Sequence, residues 1–270
     1  MKTLLICHED AAINREVIAR WLASFSQLAG IIVLHETRLR GWKRVKRELK
    51  RIGILRFFDM AAFRLYYRVF LAEADHQWQD IIIRQYIEKF ADLPADLPVL
   101  HTESPNSPEA EAFVKQLAPD MLIARCKTLL SERIFTLPRI GTFVMHPGIC
   151  PEYRNAHGCF WALANNDLSR VGMTLLRIDR GVDTGPIFGY YSYRFDEVRE
   201  SHIVIQHRVV LDNLEAIQQK LLEIAAGNAM AIDITGRQSK EWGQPWLTSY
   251  LHWKRCAKRR CHEGHHAPVP

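Results

Sequence analysis

Five short apolar runs, separated by segments with helical spacing, constrain this chain more than any other feature. They are Thr3–Cys7 (TLLIC), Gly30–Leu34 (GIIVL), Val99–His101 (VLH), Met121–Arg125 (MLIAR) and Gly141–His146 (GTFVMH). Runs that are apolar on successive residues fit strands covered on both faces. Between the first two, Ile13, Val17, Ile18, Trp21 and Leu22 recur at helical spacing. Ser107 before Pro108, with Glu109 and Glu111 in the next turn, marks a capped helix start ended at Pro119-Asp120. The strand–helix–strand order predicts an α/β fold with a Rossmann-like, mainly parallel sheet. The first strand is followed by CHEDAA rather than Gly-x-Gly-x-x-Gly, so a dinucleotide-phosphate cradle is not indicated.

Later segments continue the pattern. Ser131 to Phe135 reads as a short helix, 156–166 as a helix, 172–178 and 185–191 as strands, and 200–226 as one long amphipathic helix. Residues 37–90 interrupt the alternation and read as a helical insertion. Trp42, Val45, Leu49 and Ile52 fall on one helix face, and LRFFDMAAFRLYYRVFLAEA follows Gly53. Two roles fit: packing on the domain with a solvated basic face, or an interfacial helix pair on a membrane or a lipid-linked substrate. From about 236 the periodicity decays. The expected organisation is one domain over 1–236 and a basic C-terminal tail over 237–270.

The formal charge of +6 is concentrated in two places. Segment 37–51 carries eight basic residues against Glu48 alone, and 250–266 carries five against Glu263. Such patches favour anionic partners. The six cysteines follow no secretory signal and read as reduced thiols of a cytoplasmic protein. Cys256, Cys261, His262, His265 and His266 lack paired Cys-x-x-Cys spacing, so they read as a disordered, His-rich end rather than a metal site.

The chemistry lies in 141–188. His146 closes an apolar strand before Pro-Gly, which places an imidazole at the carboxyl end of the sheet, where open α/β folds keep their sites. Asp183 sits in Gly-Val-Asp-Thr-Gly between two apolar runs. Either residue alone fits a structural role as well, Asp183 that of a turn residue. Their joint spacing is more telling. His146, Pro151, Tyr153, Arg154, Gly172, Thr174, Asp183 and Gly185 occur in the order that resembles the formyltransferase family, strongly over 119–190.

That resemblance implies a formyltransferase-type fold, 10-formyltetrahydrofolate as co-substrate, and transfer of its formyl group to an amine. It gives His146 and Asp183 the catalytic roles. It puts the folate against Cys126, Lys127, Thr128, Leu129 and Leu130, and against Asp179, Arg180, Gly181 and Val182. Arg125 and Lys127 stand where small or apolar residues are common, to meet an anion or narrow the pocket. The family's Asn, two residues before the His, is Val144 here, which cannot donate a hydrogen bond; Asn155 is the nearest alternative donor. The acceptor is expected to be a small or sugar-linked amine, nucleotide- or lipid-linked among them, and no nucleic acid. The segment after 236 is short for the barrel domain of the tRNA-specific members. Peripheral contact with the inner membrane surface through 37–72 is a further expectation. The competing readings are a formyltetrahydrofolate hydrolase and a non-enzymatic folate-binding or interaction protein on this scaffold.

Overall fold

The computed structural model describes residues 1–35 and 38–263, with 38–52 described by backbone alone. The chain begins with β1 (Lys2–His8), a π-helical stretch Ile13–Ile18 continued by α1 (Ala19–Phe25), and β2 (Gln27–Leu34). The insertion follows as α2 (Arg38–Phe70), broken at Gly53 (φ 78°), and α3 (Ala72–Lys89). Then come β3 (Val99–Thr102), α4 (Pro108–Leu117), β4 (Met121–Arg125), α5 (Glu132–Phe135) and β5 (Gly141–His146). After these lie β6 (Arg154–Asn155), α6 (Gly158–Ala164), β7 (Met173–Arg177) and β8 (Ile187–Tyr191). The chain finishes with α7 (His202–Leu211), α8 (Leu214–Ala225), β9 (Glu241–Trp242) and α9 (Leu247–His262).

Seven strands form one sheet in the order β3-β2-β1-β4-β5-β7-β8. β1 to β5 pair in parallel, and β7 runs antiparallel to both β5 and β8. Successive residues of β1 enter different cores, which explains its unbroken apolar run. Leu4 and Ile6 join Ile32, Val114 and Ile134 on the α4 side. Leu5 and Cys7 join the larger core with Val17, Trp21 and Ile123. Burying each such side chain contributes roughly 2 kcal/mol. From β1 the sheet grows to β2 and β3 on one side and to β4 and β5 on the other. Open α/β sheets keep their sites at such a switch point, beyond the carboxyl ends of β1 and β4. Helix α4 begins as its sequence predicts: Ser107 Oγ accepts from the Ala110 N–H at 3.2 Å, and Ala118 ends the helix at φ 44°.

The described part of the insertion is docked on the body. Met60 and Phe63 are buried, and the Phe63 ring lies 5.4 Å from Tyr250 and 5.7 Å from Phe160. Asp59 accepts from the backbone N–H of Thr248 at 3.0 Å, at the start of α9. Tyr86 donates to the Leu211 carbonyl at 2.9 Å. The helix face expected at Trp42, Val45, Leu49 and Ile52 lies outside the described side chains.

Three segments differ from the sequence reading. The helix expected over 200–226 is two helices, split where the Asn213 amide turns back to the Val209 carbonyl and across to the Ser192 carbonyl. The helix expected over 156–166 is shortened to α6, because His157 takes a left-handed conformation (φ 56°). The segment read as a basic tail contains α9, whose Tyr250, Trp253 and Ala257 belong to the main core. Trp253 is completely buried, and its indole N–H donates to Glu197, which also pairs with Arg260 at 2.6 Å. His265 and His266 lie outside the described residues. Among the described residues no helix is long and apolar enough to cross a membrane, and no cluster of metal-binding side chains occurs. All six cysteines are free thiols.

Candidate active site

His146 ends β5 and is 5% exposed. Its Nε2 lies 2.8 Å from the Tyr153 carbonyl, which only accepts, so Nε2 carries the proton. Nδ1 then faces Oδ2 of Asp183 at 3.4 Å. The turn that brings Tyr153 back over the ring is held from β7 and β8. Thr174 Oγ1 donates to the Gly148 carbonyl at 2.6 Å and accepts from the Cys150 N–H at 3.0 Å. Tyr190 donates to the Cys150 carbonyl at 2.8 Å. Gly148 is needed for this closure: a Cβ there would lie 2.5 Å from the Tyr153 carbonyl and 2.7 Å from Nε2 of His146.

Asp183 follows β7 in a tight loop and takes a left-handed conformation (φ 52°). Asp179 organises that loop, accepting from the Gly181 N–H at 2.9 Å and from the Thr184 hydroxyl at 2.7 Å. Arg154 clamps it through the Val182 carbonyl at 2.6 Å. The backbone N–H of Asn155 donates to Asp183 Oδ2 at 2.8 Å. The Asn155 amide itself donates to the Trp242 carbonyl at 2.8 Å. Asn155 therefore meets Asp183 through its backbone, with its side-chain amide committed to the Trp242 carbonyl.

Residues beyond 236 build this site's support. β9 pairs with β6, and Trp242 stacks on Tyr153 (5.6 Å) and Trp161 (4.8 Å). Arg237 grips both oxygens of Glu152, at 2.9 and 2.6 Å. Sequence reasoning missed these residues. The recurrent Trp242, Trp246, Trp253 pattern was the available signal, with Tyr250, Trp253 and Ala257 at helical spacing.

The two loops assigned to folate are linked to each other. Arg180 forms an ion pair with Glu132, directly after the first loop, at 2.7 Å. That first loop is tethered by His8 Nε2, which accepts from the Lys127 N–H at 3.0 Å, and by Asn106, which donates to the Leu129 carbonyl at 2.9 Å. Leu130 is buried and Leu129 exposed. Burial pushes the Cys126 thiol up to about 11. Arg125 turns inward, its Nε donating to Asn14 at 3.0 Å and its Nη1 to the Met145 carbonyl; burial pulls its pKa down to about 10. Lys127 remains exposed, 3.7 Å from Asp10. The backbone groups of both loops stand largely outside any ladder, beside the exposed Leu129 and the carboxylate of Asp179. The Lys127 and Gly181 N–H groups and the Leu129 and Val182 carbonyls are already paired; the amide-like backbone edges that remain suit a flat heterocycle such as a pterin. A cleft of about 350 Å³ between α5 and 177–180 touches Asp179 and Arg180 but neither His146 nor Asp183.

A family profile described as formyl transferase matches residues 75–219, more than half of the chain. Methionyl-tRNA formyltransferase of Thermotoga maritima is 28% identical over 136 residues, which are 48% of this chain and 43% of that enzyme. The Thermotoga neapolitana enzyme is 31% identical over 45% of this chain and 41% of its own length. The match thus spans less than half of these curated relatives. A sugar N-formyltransferase from a Shewanella species shares the fold at a TM-score of 0.54 and 12% identity, over 90% of this chain and 77% of that one. A phosphoribosylglycinamide formyltransferase from Anaplasma phagocytophilum does so at 0.52 and 13%, over 91% and 99%. The chain belongs to the formyl transferase family.

Proposed function

We propose that this member of the formyl transferase family moves a formyl group from 10-formyltetrahydrofolate, the family's co-substrate, to an amine. The observation that carries the proposal is the approach of His146 Nδ1 to Asp183 Oδ2 at the carboxyl edge of the sheet, beside the loops 126–130 and 179–182. Bound between those loops, 10-formyltetrahydrofolate supplies the reactive formyl carbon. His146 and Asp183 would take the proton that the attacking amine gives up and return it to the folate nitrogen as that nitrogen's bond to the formyl carbon breaks, releasing tetrahydrofolate. Nε2 is fixed by the Tyr153 carbonyl, so Nδ1 is the nitrogen left to exchange a proton, and Oδ2 is the oxygen that steadies it. The Asn155 N–H on Oδ2 and the Arg154 clamp on Val182 hold that carboxylate in place before the reaction begins. Val144 contributes no hydrogen bond to developing charge.

The acceptor is a small or sugar-linked amine, nucleotide- or lipid-linked among its forms. Its support is the fold shared with sugar N-formyltransferases. Calorimetry and thermal melting with a non-reactive folate analogue test the co-substrate. Binding should raise the melting temperature by mass action. No shift at millimolar analogue would remove the basis for the whole proposal. His146→Ala should leave this binding intact while abolishing transfer.

A further inference from the structure

Beyond Gly53, helix α2 buries one side and leaves another bare. Met60 and Phe63 point into the core, whereas Ile54, Leu55, Phe58, Leu65 and Val69 are each 61–83% exposed. At 100° per residue these five share one arc of about 100°, opposite the buried side, along about 22 Å of helix. Apolar stripes of that length are unusual on a free protein surface. Arg64 and Arg68, both exposed, border the stripe. The sole acidic residue between 54 and 70 is Asp59, and it is occupied at the start of α9. The helix before the break at Gly53, 38–52, has a sequence with eight Lys or Arg and only Glu48.

We propose that this stripe, with its basic lead-in, is a docking surface for an anionic lipid bilayer. The bare face enters the boundary between headgroups and acyl chains, and the cations meet the headgroups. Arg64 and Arg68 line one edge of the stripe, which suits a fluid anionic surface. A second copy of the chain would bring its own Arg64 and Arg68 to the edge of the same stripe, and like charges oppose that pairing. The docking of Asp59 on Thr248 and of Tyr86 on Leu211 makes the adsorbed helix carry the whole body with it. This attachment is independent of the chemistry assigned to His146, so either can fail alone.

Co-sedimentation of the full chain with phosphatidylcholine vesicles, with and without phosphatidylglycerol, tests it. The protein should pellet only with the anionic vesicles and be released by high salt. Phe58→Asp with Leu65→Asp, and separately Arg64→Glu with Arg68→Glu, should each weaken pelleting at least about tenfold. Both pairs are exposed, and their circular dichroism and melting should match the parent; if the aspartates unfold the chain, the Arg pair decides alone. Pelleting that is equal with both vesicle types, absent with both, or unchanged by the folded variants overturns the proposal. So does a lipid-free dimer, seen by analytical ultracentrifugation, that the aspartates convert to a monomer.

Discussion

Nδ1 of His146 lies 3.4 Å from Oδ2 of Asp183, although the two residues belong to different connections of the sheet. His146 ends β5, while Asp183 sits in the loop between β7 and β8. The antiparallel pairing of His146 with Thr174 fixes where β7 runs, and the Arg154–Val182 hydrogen bond brings the following loop back over the strand end.

That geometry predicts a paired loss. His146→Ala and Asp183→Asn should each lower formyl transfer on the order of 10²–10⁴-fold. The double variant should be little worse than either alone, because the two act as one unit. Steady-state turnover with binding of a folate analogue measured in parallel provides the check. A His146→Ala protein that keeps near wild-type turnover would exclude the assignment.

Val144 lies on the same face of β5 as His146 and packs with Cys150, Leu176 and Ile187. Val144→Asn should raise turnover by supplying a donor beside His146. It should also cost about 1–3 kcal/mol of stability, since an amide enters an apolar cluster. Chemical denaturation and the same turnover assay separate the two effects. A fall in turnover for a folded variant would mean that the pocket is shaped around the valine.

Gly148 offers a steric test. A methyl group there meets the Tyr153 carbonyl at 2.5 Å and His146 Nε2 at 2.7 Å. Gly148→Ala should therefore destabilise the chain by about 1–3 kcal/mol and displace the imidazole, with loss of turnover. Wild-type melting and wild-type rate in this variant would show that Tyr153 does not close over the ring.

Burial also sets an acid limit on stability. It pulls His157 and His207 from 6.5 down to about 4, and holds His202 below its ordinary value as well. The unfolded chain takes up protons near 6.5, while the folded chain resists until about 4. Within that window the unfolded state binds more protons, so stability falls as pH falls. Each histidine contributes at most about 1.4 kcal/mol per pH unit. Melting curves across the window should show this slope. His202→Phe, which places a ring among Phe63, Phe160 and Tyr67, should flatten it. An unchanged slope would rule out His202 as a contributor.

The sequence by itself determined the strands of the main sheet and the start of α4. Leu4 and Ile6 against Leu5 and Cys7, or Ser107 before Pro108, act within a few residues, where period and capping decide the outcome. It also placed His146 at a strand end and Asp183 in a turn, and the spacing between matched residues pointed to the family. The tertiary structure alone decided what the Asn155 side chain does. Its amide is drawn to the Trp242 carbonyl by the pairing of β6 with β9, two short strands whose partners are far apart in the chain. It alone made α9 part of the core, because the value of Trp253 and Glu197 depends on burying each against the other. Local patterning fixes which elements form. Which loops meet, and which atoms of His146 and Asp183 face each other, follows from long-range packing that no short window of residues contains.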